Sequence, residues 1–587
     1  MMPLLSELSA IASAAFVAEG LAESYGQVQV SDRPDLAQFQ CNGAFIAAKA
    51  ERSNPRALAE KIAARLKDHP LFARVEIAGP GFINLDVTDD ALSLRMAAVA
   101  ADAALGCPAS GAGKVAVLDY GGANVAKPMH VGHLRSAIIG ESLRRLFVAQ
   151  GWKVIGDVHL GDWGLQMGQL ISEVELAGTH PIYFDETYSG PYPDEAPVTM
   201  DDLAVLYPKA SAACKADPER LEKARQATAG LQSGRPGYVA LWKAFVAVSM
   251  EGLKREYGNL GVHFDLWKGE SDADAFVQPM VEDLKARGLA HMSEGAWVID
   301  VVREDDKKEM PPLLLVKSDG AALYGTTDLA TIVDRVKSFD PDLILYVVDQ
   351  RQHTHFEQVF RAADKAALKG KAVLEHAGFG TMNGTDGKPF KTRAGGVMKL
   401  FDLITMITEE ADKRLTEAGL GADYTAEERA TIARQIGIAA LKFADLSNYR
   451  LTDYIFDPER FTRFEGKTGP YLQYAAVRTH SILRKAEGEG YGVGTPVIRS
   501  EEERALALKL LALPDALAGA EDKRAPNILC DYAFTLAQTF SRFYAAHHIL
   551  SETDADLRAS RLGWCRLTVV ALGKVLDILG IEIPERM

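Results

Sequence analysis

The sequence predicts an α/β protein whose parallel-sheet core follows a small α+β unit and precedes an all-α region. Three observations predict it. Residues 115–159 read as strand, loop, helix and strand; residues 1–110 combine helical periodicity with a hairpin; and residues 456–587 are apolar at helical spacing.

Taken in order, residues 1 to about 25 place Leu4, Leu5, Leu8, Ile11 and Ala15 at helical spacing, and 54–67 do so again behind Asn54-Pro55, a helix start. Val75–Ile77 and Phe82–Val87, separated by Gly79-Pro80-Gly81, predict a hairpin. A Gly/Ala/Ser stretch at 106–113 marks a domain boundary. Val115–Leu118 is a short buried strand, and Asp119–Met129 is too rich in Gly and Pro to prolong it. From Leu134 apolar residues recur at helical spacing until Gly151, and Lys153–His159 predicts the next parallel strand. The intervening loop sits where such sheets bind nucleotides.

The helix predicted to begin near His133 presents free N–H groups and the positive end of its dipole, which favour a phosphate. His130 and His133, flanking Gly132, can donate to phosphate oxygens, while the bare backbone at Gly132 admits a flat base. Such donors would stabilise charge growing on a transferring phosphorus. Two plainer uses of the imidazoles remain open on these letters alone, capping the helix or holding a metal.

His130-Val131-Gly132-His133 resembles the histidine signature of class I aminoacyl-tRNA synthetases, and Asn124 through Ser136 resembles the arginyl-tRNA synthetases in particular, as does Gly161-Asp162-Trp163-Gly164. The resemblance implies a Rossmann-type catalytic domain over 111–400, an amino-terminal tRNA-binding domain over 1–110, a connecting helical region over 401–455 and a helical anticodon-binding domain over 456–587. It implies that arginine is activated with ATP, entering with Mg²⁺, and passed to tRNA(Arg). Gln38–Gly43 and Gly79–Asn84 resemble the family's amino-terminal domain, which makes Gln40 and Asn84 candidate tRNA readers; strand and turn residues bonded only to each other are an equal alternative.

Residues of about 175–265 mix Pro-rich turns with helical patterns and read as an insertion whose chemistry is obscure. Tyr324 and Asp328 face one cleft if Thr326 or Thr327 starts a helix. Leu343–Val348 predicts a buried strand running into Asp349-Gln350-Arg351-Gln352-His353, at the carboxyl end where ligands collect. Arginine's planar, five-donor fork is read by carboxylates and rings. The resemblance assigns Asn124, His133 and Gln352 to the substrate's α-groups or their surroundings and Tyr324 and Asp328 to its side chain, with Asp119 a further acidic candidate.

Asn383–Gly396 is a cationic loop by composition, in the place of the family's second signature, a lysine loop closing over the ATP phosphates. Pro389 and Thr392 stand where that pattern has lysines, leaving Lys391 and Arg393 as nearby cations. The resemblance makes Lys127, just before the histidine signature, the compensating charge. Gly466-Lys467-Thr468 imitates the end of a phosphate-binding P-loop, but Phe461 occupies the place of its first Gly, so that motif is rejected. The resemblance instead places the anticodon-binding helices there, with Tyr474 and Arg478 as candidate base contacts by stacking or hydrogen bonding.

Eighty Asp and Glu against 65 Lys and Arg leave a net charge of −15, which argues against indiscriminate coating of nucleic acid. Five scattered cysteines without a C-x-x-C pair support neither a disulfide framework nor a zinc site. No stretch approaches a transmembrane length, and no leader pattern opens the chain. A cytoplasmic monomer partnered by tRNA, arginine and ATP, with neither membrane nor DNA, is expected.

Overall fold

The computed structural model describes residues 2–317, 322–388, 390 and 398–587, which form two compact units: 1–110 with 464–577 and 582–587, and 111–463 with 578–581. The first unit opens with α1 (Leu4–Ala18), β1 (Val28–Val30), β2 (Phe39–Cys41), α2 (Gly43–Ala50), α3 (Pro55–Leu66), β3 (Phe72–Ala78), β4 (Phe82–Val87) and α4 (Asp89–Ala101). Its strands make an antiparallel sheet in the order β1-β2-β4-β3. The helix predicted to reach about 25 stops at Ala18, two residues before Gly20 takes a left-handed φ of 77°. At α3 the Asn54 side chain accepts from the N–H groups of Arg56 and Ala57, and Pro55 occupies the first turn where its missing donor costs nothing.

In the second unit β5 (Val115–Asp119), α5 (Val131–Ala149) and β6 (Lys153–Asp157) form the expected crossover. α6 (Leu165–Ala177) leads into the insertion, whose helices are α7 (Met200–Ala216), α8 (Pro218–Gln232) and α9 (Pro236–Asn259). Next come α10 (Glu270–Ala286), β7 (His291–Ser293), β8 (Ala296–Ile299), β9 (Leu313–Val316), α11 (Tyr324–Phe339), β10 (Leu343–Tyr346), α12 (His353–Lys365) and β11 (Val373–His376). The unit ends with β12 (Met382–Asn383), α13 (Leu400–Glu417), α14 (Ala426–Leu446), β13 (Tyr454–Ile455) and α15 (Pro458–Phe461). The central sheet runs β11-β10-β5-β6 and is parallel throughout, with Ala116, Val117 and Leu118 fully buried and every residue of β10 buried. Strands covered on both faces are continuously apolar, as β10 and residues 115–118 of β5 are, while the edge strands β6 and β11 carry Lys153 and Glu375.

The chain then returns to the first unit as a run of helices: α16 (Gly469–Gly488), α17 (Glu501–Leu511), α18 (Leu513–Lys523), α19 (Asn527–Ala546) and α20 (Ala555–Ile578). Thr468, the last residue of the P-loop look-alike, caps α16 by accepting from the Tyr471 N–H. Phe540 and Phe543, expected at helical spacing, are buried on α19, while Tyr544 is exposed.

Candidate active site

The loop from β5 to α5 is built by backbone constraints. Gly121 adopts φ 95°, and a Cβ there would stand 2.7 Å from the Tyr257 hydroxyl oxygen. Its N–H donates to Ser136 Oγ, which donates in turn to the carbonyl of Val347, tying the loop to the end of β10. Ala126 N–H donates to Ser249 Oγ and Met129 N–H to Glu256 Oε2, both acceptors from α9 of the insertion. Asn124 bridges Gly161, where a side chain would collide with the Asn124 amide oxygen at 2.3 Å.

Helix α5 starts at Val131, two residues before the expected point, because His130 caps it. His130 Nδ1 accepts from the Gly132 N–H at 3.0 Å, and His133 Nδ1 accepts from the His130 N–H at 3.2 Å. The rings stack, with centroids 3.9 Å apart. With both δ nitrogens used as acceptors, each neutral ring carries its proton on Nε2. Burial and the neighbouring Lys127 lower the His130 pKa; burial, His130 and Lys127 take that of His133 down to about 3. The pair therefore offers two neutral N–H donors at neutral pH rather than an acid or base. Capping and donation are compatible, since they use opposite nitrogens. Among the described residues no cluster of three or more His, Cys, Asp or Glu could hold a metal ion.

Lys127 Nζ lies 4.4 Å from the centroid of the Tyr207 ring, a contact from α7 that sequence reasoning missed. The segment beyond the lysine loop returns to the signature, with Val131 N–H donating to the Met398 carbonyl and Leu400 N–H to that of Met129. Pro389, Lys391, Thr392 and Arg393 lie outside the described residues.

Helix α11 begins at Tyr324 rather than at Thr326 or Thr327, with the Thr326 hydroxyl receiving the Leu323 N–H. Tyr324 and Asp328 are one turn apart; Tyr324 is 70% exposed and so is no core residue. Asp328 Oδ2 lies 2.5 Å from His355 Nε2 on α12. Glu270, the first residue of α10, completes this corner: burial, Asp162 and Asp328 push its carboxyl up to about 7. Although Tyr324 is largely exposed, its hydroxyl is partly desolvated by the surrounding protein, and that, followed by Glu270, raises its pKa. Asp162 accepts from both the N–H and the hydroxyl of Ser271, which fixes it beside Glu270. The result is a corner rich in carboxylate, with the His355 imidazole against Asp328, suited to a planar cation. Neither Glu270 nor His355 carries a local sequence signal.

Asp119 is already occupied. Its Oδ2 receives Arg335 Nη2 at 2.6 Å within the buried core, so its guanidinium is internal to the chain. Gln352 ends a short turn after β10 and is exposed. In the other unit, Gln40 and Asn84 are register partners, and Gln40 Nε2 donates to Asn84 Oδ1 at 3.0 Å. Tyr474 and Arg478 sit one turn apart on α16; Arg478 donates to Ser541 Oγ and stacks 5.0 Å from the Tyr544 ring.

A parallel sheet whose first strand-to-helix loop sets two stacked imidazoles at a helix amino terminus has the architecture that nucleotide-binding α/β proteins use. The sequence model described as tRNA synthetases class I (R), catalytic domain, matches residues 96–458; those of the arginyl tRNA synthetase N terminal domain and the DALR anticodon binding domain match 4–87 and 472–587. The chain is 54% identical to the arginine–tRNA ligase of Maricaulis maris and 55% identical to that of Hyphomonas neptunium, each over the whole of both chains. In fold it is similar to the arginyl-tRNA synthetases of Plasmodium falciparum (TM-score 0.83, 23% identity) and Thermus thermophilus (0.80, 22%), again over the full length of both. The chain belongs to the arginine–tRNA ligase family of the class I tRNA synthetases.

Proposed function

We propose that this chain joins arginine to tRNA(Arg) in two steps. The arginine carboxylate attacks the α-phosphorus of ATP, releasing pyrophosphate, and a terminal ribose hydroxyl of the tRNA then takes the arginyl group. The observation that carries the first step is the stacked His130–His133 pair, with both Nε2–H donors available at the amino end of α5. Preorganised neutral donors and the helix dipole stabilise charge developing on the phosphoryl oxygens without a proton changing hands. Lys127 adds a fixed positive charge nearby, and ATP enters as its magnesium complex. Lys391 and Arg393 are proposed to complete the phosphate contacts.

Arginine selection is assigned to Asp328, Glu270 and Tyr324, with Asn124 and Gln352 on the α-amino and carboxylate groups. A guanidinium placed between Asp328 and Glu270 relieves the repulsion that raises the Glu270 pKa. No side chain becomes covalent; binding and orientation supply the acceleration. Tyr474 and Arg478 are proposed to contact unpaired bases of the tRNA, and the Gln40–Asn84 edge to contact another part of it. A cytoplasmic monomer is the working state; no helix among the described residues is long and apolar enough to cross a membrane.

The test is ATP–pyrophosphate exchange with each of the twenty amino acids, with and without total tRNA. Exchange with arginine alone is expected, and dependence on tRNA would show that the site is completed by its partner. Exchange with another amino acid, or none from folded protein that still binds tRNA, would refute the proposal.

A further inference from the structure

Arg335 lies on α11 seven residues beyond Asp328 and eleven beyond Tyr324, spacings that return close to the same face of a helix. Its Nη2 donates to Asp119 Oδ2 at 2.6 Å and to Asp157 Oδ2 at 2.7 Å. Asp119 and Asp157 are register partners on β5 and β6, and Tyr346 is the partner of Asp119 on β10, so three neighbouring strands present these side chains at one level. The Arg335 guanidinium carbon lies 5.3 Å from the Tyr346 ring centroid. All four residues are buried.

Two carboxylates in the interior are tolerable only while a cation stands between them, and here the single Nη2 of the buried Arg335 guanidinium does so. The bridge joins the sheet edge to the helix that carries Tyr324 and Asp328. We infer that Arg335 is a positioning residue for amino-acid recognition, an internal guanidinium that locks α11 onto the carboxyl ends of β5 and β6 and so sets Tyr324 and Asp328 against Glu270. The inference rests on the proposed arginine pocket.

The lock has a chemical signature: truncating Arg335 leaves a cavity lined by two carboxylates and a ring, the surroundings a free guanidinium ion prefers. In the full chain, Arg335→Ala should raise the Michaelis constant for arginine in pyrophosphate exchange by about tenfold, equivalent to about 1.4 kcal/mol, while that for ATP moves by less than about twofold. Millimolar guanidinium chloride should then lower the arginine constant of the variant, whereas in the unsubstituted protein it should only compete with arginine. Asp157→Asn, which leaves Arg335 paired with Asp119, should show the same split at about threefold and decides the matter if Arg335→Ala does not fold. Equal rises in both constants, loss of kcat alone, or guanidinium that inhibits the Arg335→Ala variant would each overturn the inference. Unsubstituted protein that exchanged with an amino acid other than arginine would overturn the pocket assignment instead, an outcome separable from any result with Arg335.

Discussion

Glu270→Gln is the most informative single change, because it removes a charge and almost nothing else. In the free protein Glu270 has its pKa raised from the ordinary 4.5 to about 7 by burial and by the Asp162 and Asp328 carboxylates. If only the ionised form pairs with the substrate guanidinium, apparent affinity scales with the ionised fraction, about 0.1 at pH 6 and about 0.9 at pH 8. The Michaelis constant for arginine should therefore fall about tenfold between pH 6 and pH 8, and binding should release about half a proton at pH 7 and close to one at pH 6. Glu270→Gln should flatten that profile and raise the constant at pH 8 by one to two orders of magnitude, the cost of about 1.5–3 kcal/mol for a hydrogen bond to a charged group. His133, taken down to about 3, is neutral across this range and does not generate the slope, and the Glu270→Gln comparison separates any contribution of His130, which both proteins share. The sign for stability is opposite. A carboxyl whose folded pKa is raised stabilises the fold fully below about 4.5 and loses that contribution as pH rises through about 7, by at most about 3 kcal/mol. Without arginine, Glu270→Gln should thus melt above the unsubstituted protein at pH 8 and match it at pH 4.5. Arginine constants measured across pH, with calorimetry in two buffers to count protons, check both. Parallel pH profiles for the two proteins would refute the reasoning.

Three further outcomes are expected. Lys127→Ala should cut pyrophosphate exchange by about a hundredfold, the scale of removing one charge-stabilising donor, while tRNA affinity measured by filter binding is unaffected. Gly132→Ala should slow exchange with little change in melting temperature, because its Cβ would meet His130 Cε1 at 2.7 Å and Nδ1 at 2.9 Å, and the ring can swing aside only by leaving its place over His133. Gly140→Ala should lose about 1–3 kcal/mol or more in urea denaturation, although helix propensity alone would predict a gain of about 1 kcal/mol. On α5 that Cβ would stand 2.3 Å from Tyr120 Cβ and Cγ.

The signature loop was legible because its causes are local. Gly and Pro end the strand, apolar periodicity marks the helix, and His130 and His133 reach only each other and the adjoining backbone. The helix start was misplaced by two residues because an imidazole cap leaves no Ser, Thr, Asp or Asn to announce it. Tyr324 and Asp328 were legible as a pair one turn apart on the same reasoning. Their partners were not. Glu270 stands 58 positions before Asp328 and His355 stands 27 after it, on different helices, and no period links them.

Asp119 shows the same limit from the other side. A carboxylate at the carboxyl end of a parallel strand is correctly placed for a ligand, and nothing within 200 residues of it in sequence reveals that Arg335 already holds it. Tyr207, Ser249 and Glu256 likewise reach the loop from an insertion whose sequence carries no chemical pattern. The sequence by itself determined the fold class, the strand-to-helix turn and the two imidazoles at its helix start, since backbone dihedrals, caps and amphipathic periods are written in neighbouring residues. The tertiary structure alone decided that Arg335 pairs with Asp119 and that Asp328 meets His355, because ion pairing and burial depend on distance in space, and desolvation acts only once the chain has brought remote segments together.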